Sequence, residues 1–187
     1  LQLSDPKAAD VFDPKAWKRI KDSAHEIQVN IDTPVPDELQ ATLRPYQVDG
    51  FRFLTYLSTN RFGGILADDM GLGKTIQTLA FLLKQQALKP AGASHAPSLI
   101  ICPTSLVCNW AKEAAKFAPS LKLVVIHGAL RKPLLERLGE FDIVVTTYPL
   151  IVRDSDYYQQ QVFEHIVLDE AQQIKNAQAK VTQVIKD

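Results

Sequence analysis

The chain of 187 residues is long enough for one α/β domain with a buried core. Hydrophobic residues make up 46% and charged residues 22% of it, a composition typical of globular proteins. The 21 basic and 21 acidic residues balance, so net charge gives no argument for nucleic-acid binding, although a basic stripe on one face stays compatible with it. Two cysteines are too few for a disulfide framework, and no apolar run approaches the roughly 20 residues of a membrane helix. Without a signal-peptide pattern or an initial Met, we expect an internal part of a longer intracellular protein with no membrane partner.

Residues 1–42 differ from the rest and predict an N-terminal tail and linker. They contain four prolines and only a short helical pattern at residues 11–20. Residues 33–36, Thr-Pro-Val-Pro, predict extended backbone, because a residue before proline avoids the helical region. We expect the folded domain to occupy residues 43–187.

From Leu43 onward, amphipathic stretches alternate with short apolar runs. Pro45 is favourable at a helix start, and helical spacing follows it. Further helices are predicted at residues 74–88 and 106–117. Strands are predicted at residues 62–67, 98–102, 121–126, 141–146 and 165–169. This alternation predicts an α/β fold, a parallel sheet with helices on both faces.

Residues 65–75, ILADDMGLGKT, combine a predicted strand, a glycine-rich turn and a helix start. Backbone N–H groups of such a turn and the positive end of the helix favour phosphate. Gly71 and Gly73 permit close backbone approach and unusual φ values. Lys74 is placed to reach the β- and γ-phosphates, and Thr75 offers a hydroxyl to Mg²⁺. The standard pattern has glycine where this chain has Asp68, so the loop alone is an incomplete match.

The second chemical motif is an apolar strand that ends in Asp169 and Glu170. In a phosphate-loop enzyme the first acid holds Mg²⁺ and the second orients the attacking water. An isolated Asp-Glu pair is more often a solvated strand end. Here two strand–helix units separate it from Lys74, which lets both motifs reach the same edge of one parallel sheet. The two motifs together predict binding of ATP with Mg²⁺.

With both motifs in place, the sequence resembles Swi/Snf-family ATPases, which are helicase-like DNA translocases. Residues 68–75, DDMGLGKT, resemble the first ATPase motif of that family, in which an acid likewise stands at the first glycine position. Residues 43–47, LRPYQ, resemble its adenine-side motif. Residues 169–172, DEAQ, resemble its acidic motif, except that many members have His where this chain has Gln172. The remaining similar motifs are Pro103 to Leu106 with Asn109 and Trp110, then His127-Gly128, then Thr146-Thr147-Tyr148, and finally Ile174-Lys175-Asn176.

The resemblance implies the first RecA-like lobe of a double-stranded DNA translocase driven by ATP hydrolysis. The implied catalytic residues are Lys74, Asp169, Glu170 and Gln172. The implied nucleotide-binding residues are Gln47, which reads adenine, and Asp69, Met70, Gly71, Leu72, Gly73, Lys74, Thr75 and Ile76. Thr75 and Asp169 are the implied Mg²⁺ ligands. The implied contacts to DNA phosphates are Pro103, Thr104, His127, Gly128, Thr146 and Thr147.

The resemblance also implies a second RecA-like lobe of the same protein, which supplies an arginine to the site. The chain ends at Asp187, before that lobe, so we expect these residues alone to be inactive. Two alternatives stay open: an RNA-directed helicase of the DEAD/DEAH type, and a non-catalytic module gated by nucleotide. Trp110 is more consistent with a core position than with base stacking. A basic rim is compatible with the positions of Lys112, Lys116, Arg131, Lys132 and Lys175. The expected location is the cytoplasm, associated with the nucleoid, or the nucleus if the source is a eukaryote.

Overall fold

The computed structural model describes residues 33–69, 71–89 and 96–186. The helical pattern predicted at residues 11–20 and the predicted nucleotide contact of Met70 lie outside these residues. Part of the predicted linker is described, and it packs against the domain: Leu39 is buried, and the Gln40 N–H donates to the Phe117 carbonyl at 2.8 Å. The boundary at residue 42 stays a prediction.

The centre of the fold is a four-stranded sheet in which every strand is parallel to its neighbours. The strands are β1 (Ser98–Cys102), β2 (Leu123–Val125), β3 (Ile143–Thr147) and β4 (Ile166–Leu168), in the spatial order β2-β3-β1-β4. In β1, Ile100 is paired with Val145 of β3 on one side and with Val167 of β4 on the other. Parallel strands bring all their carboxyl ends to one edge of the sheet, where ligands bind in open α/β folds.

Helices connect the strands and follow the pattern predicted from the sequence. Pro45 is the first residue of the first helix, where its missing N–H costs no hydrogen bond. The α-helices of the described residues are α1 (Pro45–Thr59), α2 (Lys74–Ala87), α3 (Val107–Phe117), α4 (Lys132–Leu135), α5 (Tyr148–Arg153), α6 (Ser155–Tyr158) and α7 (Lys180–Lys186). Short 3₁₀ segments occupy Thr104–Leu106, Ala129–Arg131, Leu138–Glu140 and Ala171–Ile174.

Two hydrophobic cores lie on the two faces of the sheet. Ile100 and Cys102 of β1 belong to the core shared with α1, α2 and α3. Leu99 and Ile101 belong to the opposite core, shared with α4, α5, α6 and α7. Because successive side chains of a strand point to opposite faces, β1 is buried at every position and is apolar from Leu99 to Cys102. The predicted parallel sheet with helices on both faces is confirmed.

The strand predicted at residues 62–67 is wrong. Those residues form no strand in the structure, and Ile65 is 81% exposed. An apolar run becomes a strand only where a neighbouring strand takes its backbone hydrogen bonds, and β4 is the edge strand of the described sheet. The other four predicted strands are present, although β2 and β4 are shorter than predicted.

Candidate functional site

The start of α2 and the end of β4 lie at the same edge of the sheet. At the opposite edge, Lys89 Nζ lies 2.7 Å from Glu164 Oε2, so the chain just after α2 meets the chain just before β4. Further from that edge, the rings of Phe81 in α2 and His165 just before β4 meet edge to face, with centroids 4.9 Å apart. Helix α2 is therefore antiparallel to β4. Lys74 lies about 10 Å along the helix from Phe81, and Asp169 about 13 Å along the strand from His165. The two predicted motifs thus lie at the same edge of the sheet.

The glycine-rich turn has the backbone conformation that a phosphate loop requires. Gly71 has φ +85° and Gly73, the residue that precedes α2, has φ +80°. A Cβ on Gly73 would also come within 2.6 Å of Gln47 Nε2. Lys74 Nζ donates to the carbonyl oxygens of Asp68 at 2.7 Å and Asp69 at 3.0 Å, so its ammonium lies against the turn. Of the other predicted nucleotide contacts, Leu72 is exposed, Thr75 is half-buried in the first turn of α2, and Ile76 belongs to the core.

Gln47 connects the start of α1 with the glycine-rich turn. Its Oε1 accepts a hydrogen bond from the Arg44 N–H at 2.9 Å, and its Nε2 donates to the Leu72 carbonyl at 3.1 Å. The structure therefore brings the predicted adenine-side residue to the phosphate loop. Its contact with adenine stays a prediction.

Three atoms of Asp169 form hydrogen bonds, one each with β1, α5 and α3. Its N–H donates to the Ile101 carbonyl at 2.9 Å, and its carbonyl accepts from the Tyr148 hydroxyl at 2.7 Å. Its carboxylate oxygen Oδ2 accepts from Trp110 Nε1 at 2.8 Å. Burial, and secondly the charge of Asp169, raise the pKa of Tyr148 to about 12, so this hydroxyl stays protonated and donating at neutral pH. The same causes raise the pKa of Cys102 to about 12 and keep that thiol neutral.

Glu170 diverges from Asp169 immediately. Its backbone is left-handed, with φ +54° and ψ +52°, a conformation that L residues rarely adopt. The Gln172 side-chain amide donates to the Glu170 carboxylate. Gln172 is exposed and Glu170 half-buried, so this carboxylate faces outward while the Asp169 carboxylate faces α3. The two consecutive carboxylates thus have different surroundings, and the roles of Asp169 at a metal and of Glu170 at water stay predictions.

A cavity of about 490 Å³ opens at the carboxyl ends of β1, β2 and β3. Four of the six predicted DNA-contacting residues line it, namely Thr104, His127, Gly128 and Thr147. Gly128 has φ +77°, and the exposed Arg153 also lines the cavity. The remaining lining residues are Ala129, Arg131, Pro149 and Leu150. Pro103 lies half-buried at the end of β1, next to Thr104.

Thr146 and Arg131 do not have the surroundings that the sequence predicted. Thr146 is fully buried, and its hydroxyl accepts a hydrogen bond from the Tyr158 hydroxyl at 2.9 Å, so it presents no group to DNA in this structure. Arg131 is largely buried instead of forming part of a basic rim. Its Nε and Nη2 donate to Asp154 at 2.6 and 2.9 Å, and its Nη1 donates to the Gly128 carbonyl at 2.8 Å. The Asp154 hydrogen bond raises the pKa of Arg131, and the pair fixes the turn at Gly128.

Residues 46–187 match the model of a protein family described as the SNF2-related domain. The chain belongs to this family. The SNF2-related chain is 37% identical to the helicase domino of Drosophila melanogaster over 83% of its length, and 41% identical to the helicase SWR1 of Candida albicans over 78%. It is 38% identical to the ATPase ISW2 of an ISWI chromatin-remodeling complex of Saccharomyces cerevisiae over 77%. The chain spans only 5%, 9% and 13% of those three proteins.

A solved structure has the same fold as this SNF2-related chain. The SWI2/SNF2 ATPase core of Sulfolobus solfataricus, determined in complex with double-stranded DNA, superposes with a TM-score of 0.73 at 39% identity. The match covers 82% of this chain and 32% of that one. The RecA-like fold implied by the motifs is confirmed. These matches favour the ATPase-lobe reading over an RNA-directed helicase.

Sequence reasoning missed Gln77 in this SNF2-related site. Gln77 is fully buried, and its Nε2 donates to Asp68 Oδ2 at 3.0 Å. Asp68 is the acid that stands where a standard phosphate loop has glycine. The amide of Gln77 therefore supplies a hydrogen-bond donor for the carboxylate at this unusual position. Room for the amide depends on Gly50, where a Cβ would come 1.8 Å from Gln77 Oε1. The signal in the sequence was a polar residue on the apolar face of α2.

Proposed function

We propose that this chain is the ATP-binding lobe of an ATP-dependent double-stranded DNA translocase. The observation that carries the proposal is the common edge of Lys74 and Asp169, with the cavity lined by Thr104, His127 and Thr147 at the carboxyl ends of the neighbouring strands. ATP hydrolysis at Lys74 and Asp169 would drive movement of DNA held at the cavity. The match to an ATPase core solved with double-stranded DNA supports the same conclusion.

The residues present fit ATP with Mg²⁺. Positive φ at Gly71 and Gly73 opens the turn to a phosphate, and Lys74 adds a cation at its centre. Thr75 and Asp169 would hold Mg²⁺, which would neutralise the charge that develops on the phosphates during hydrolysis. Among the described residues no group of three or more His, Cys, Asp or Glu side chains converges, and Mg²⁺ in such sites uses one or two carboxylates together with phosphates and water. Glu170, steadied by Gln172, would orient and deprotonate the attacking water.

The cavity suits a DNA backbone better than a base edge. Its lining combines the exposed Thr104 of a 3₁₀ segment and the buried Thr147 at the end of β3 with a glycine turn and the exposed Arg153. Such groups bind phosphate oxygens and fix position without reading sequence. The fixed Arg131–Asp154 pair keeps the turn at Gly128 in place beside it.

A second RecA-like lobe of the same protein would complete the site. Arginine supplied across such an interface contributes roughly 10³ to 10⁵ in rate in phosphate-loop enzymes. The matched relatives are many times longer than this chain, which leaves ample length for that lobe. No described helix has the length and apolar character to cross a membrane. We place the protein with chromosomal DNA, in the nucleus if its source is a eukaryote.

The test is phosphate release by the full-length protein, with and without duplex DNA. Lys74→Ala should remove most DNA-stimulated ATP hydrolysis, because it deletes a charge that stabilises the transferred phosphoryl group, a contribution of several kcal/mol. Lys84→Ala is the matched control, since Lys84 is another half-buried lysine of the same helix, and it should retain the wild-type rate. A Lys74→Ala protein that hydrolyses ATP like the Lys84→Ala control would refute the proposed function.

A further inference from the structure

We propose that Trp110 and Tyr148 are positioning residues that hold Asp169 for its metal and link it to two walls of the cavity. The proposal rests on the proposed function, since it concerns how the metal carboxylate of that site is oriented. It is carried by two hydrogen bonds, from Trp110 Nε1 to Asp169 Oδ2 at 2.8 Å and from the Tyr148 hydroxyl to the Asp169 carbonyl at 2.7 Å.

These two contacts leave Asp169 one defined way to meet a cation. Its backbone is fixed at N by Ile101 and at O by Tyr148. With Oδ2 engaged by Trp110, only Oδ1 is without a hydrogen bond among the described residues. Two atoms of the backbone and one of the carboxylate therefore set the direction of Oδ1.

Trp110 and Tyr148 are both uncharged hydrogen-bond donors, so they leave the negative charge of the Asp169 carboxylate uncompensated. An arginine or lysine on Asp169 would compensate the negative charge that attracts Mg²⁺. The indole N–H is a donor only and carries no charge, and the Tyr148 phenol donates its hydrogen bond as an uncharged hydroxyl. Trp110 and Tyr148 thus orient the carboxylate while its full charge stays available.

Each donor follows a cavity-lining residue along the chain. Trp110 lies in the first turn of α3, immediately after the 3₁₀ segment Thr104–Leu106, which begins with the cavity residue Thr104. Tyr148 is the first residue of α5 and follows the cavity residue Thr147. A ligand that moves either wall displaces the ring joined to it. Asp169 therefore receives one hydrogen bond from each of the two segments that contain these cavity residues.

A buried indole N–H needs a partner in any case, so a purely structural role is the competing explanation. Trp110 is 3% exposed, and its removal affects packing as well as the hydrogen bond. The two explanations predict different effects of Mg²⁺ on nucleotide binding by the variants. A positioning role changes the Mg²⁺ requirement of nucleotide binding, whereas a packing role changes nucleotide binding with and without metal alike.

The experiment uses the full-length protein with Trp110→Phe and Tyr148→Phe, each of which keeps an aromatic ring. Binding of a fluorescent ADP is measured against free Mg²⁺ and again in excess EDTA. We expect the Mg²⁺ concentration for half-maximal binding to rise roughly 10- to 100-fold, as when partners of other metal ligands are removed, while affinity in EDTA is unchanged. Tyr158→Phe is the control, because the hydroxyl of this buried tyrosine donates its hydrogen bond to Thr146 and not to Asp169. It should keep the wild-type Mg²⁺ requirement.

Duplex DNA provides the second arm. It should lower the Mg²⁺ requirement of the wild type and change that of the Trp110→Phe/Tyr148→Phe double variant much less, because coupling between two sites needs an element that both affect. An equal DNA effect in the two proteins would overturn the link to the cavity walls. Unchanged Mg²⁺ requirements, or equal losses of affinity with and without Mg²⁺, would overturn the positioning role. Should Trp110→Phe fail to fold, Tyr148→Phe decides alone. The proposed function fails separately, through the Lys74→Ala assay.

Discussion

Glu170 combines a proposed catalytic carboxylate with an unfavourable backbone conformation. Its φ of +54° places it in the left-handed region, which costs an L residue about 1–2 kcal/mol. Strain of this kind persists where the surrounding structure holds it, and it is concentrated at active sites. Here the strained residue lies between β4 and the 3₁₀ segment Ala171–Ile174, where the chain must turn sharply after Asp169. The turn sends two consecutive carboxylates in different directions.

Replacing Glu170 by Ala or by Gly separates this strain from the chemistry. Both variants lose the carboxylate, so hydrolysis should slow by on the order of 10²-fold or more in each. Glycine adopts the left-handed conformation freely, and after allowance for its greater entropy when unfolded, Glu170→Gly should be more stable than Glu170→Ala by about 1 kcal/mol. Phosphate release and denaturant unfolding measure the two effects. Equal free energies of unfolding for the pair would contradict the strain at this position.

At the scale of elements, the phosphate loop depends on helix α1 as well as on its own glycines. Gly71 and Gly73 share a positive φ, but only Gly73 lies against another element, through Gln47 of α1. A side chain at Gly71 would meet no atom within 4 Å. The two positions therefore form a pair that differs chiefly in the contact with Gln47, since a Cβ at Gly73 would also approach Ile76 Cγ2, but only to 3.2 Å.

Gly71→Ala and Gly73→Ala should both weaken nucleotide binding, because each forces alanine into a left-handed conformation at a cost of about 1–2 kcal/mol. Gly73→Ala should be the more damaging, since its Cβ displaces the Gln47 amide from the Leu72 carbonyl. Titration with fluorescent ADP gives the affinities. Adding Gln47→Ala should then make the two glycine variants nearly equal, and a persistent difference would show that Gln47 is not the reason.

The same elements show which parts of the site could be predicted from sequence. Lys74, the two glycines and the acidic strand end are local patterns, whose chemistry is visible within a few residues. The Trp110–Asp169 and Gln77–Asp68 hydrogen bonds are not local, because they depend on how α3 and α2 pack against the loop and the sheet. The burial of Thr146 was missed for a related reason: a hydroxyl residue at a strand end is polar in sequence, but a neighbouring tyrosine satisfies it in the core. Residues 62–67 failed as a strand because strands require a partner.

At the scale of the whole molecule, the contacts that His165 and Glu164 make just before β4 set the relative position of the two catalytic motifs. These contacts form a joint between β4 and the helices α1 and α2. His165, just before β4, contacts α1 through Ser58 and α2 through Phe81. The neighbouring Lys89–Glu164 ion pair closes the same joint at the end of α2. Since α2 carries Lys74 and β4 leads into Asp169, loosening this joint disturbs the common edge on which both motifs depend.

The joint should make the stability of the domain sensitive to mild acid. Burial is the main cause that lowers the pKa of His165, with Lys89 adding to it and Glu164 opposing it. Its Nδ1 is buried without a partner among the described residues, so a proton there gains no hydrogen bond. The unfolded chain, whose histidine has a pKa of about 6.5, therefore binds more protons than the folded one as pH falls through that value. The free energy of unfolding should be highest near neutral pH and decrease below about pH 6.5 until the lower folded pKa is passed.

His165→Gln removes this titration and retains an amide that can bond to Ser58. Denaturant unfolding of the chain between about pH 7 and pH 5 should show a smaller loss of stability in this variant than in the wild type, because the protonation difference at His165 is gone. His127→Gln is the control, since His127 is exposed at the cavity and far from the joint in the sheet order, and its curve should run parallel to the wild type. The carboxylates are common to all three proteins, so the differences between curves isolate the histidine. If the His165→Gln curve also runs parallel to the wild type, protonation at the joint has no part in the stability of the fold.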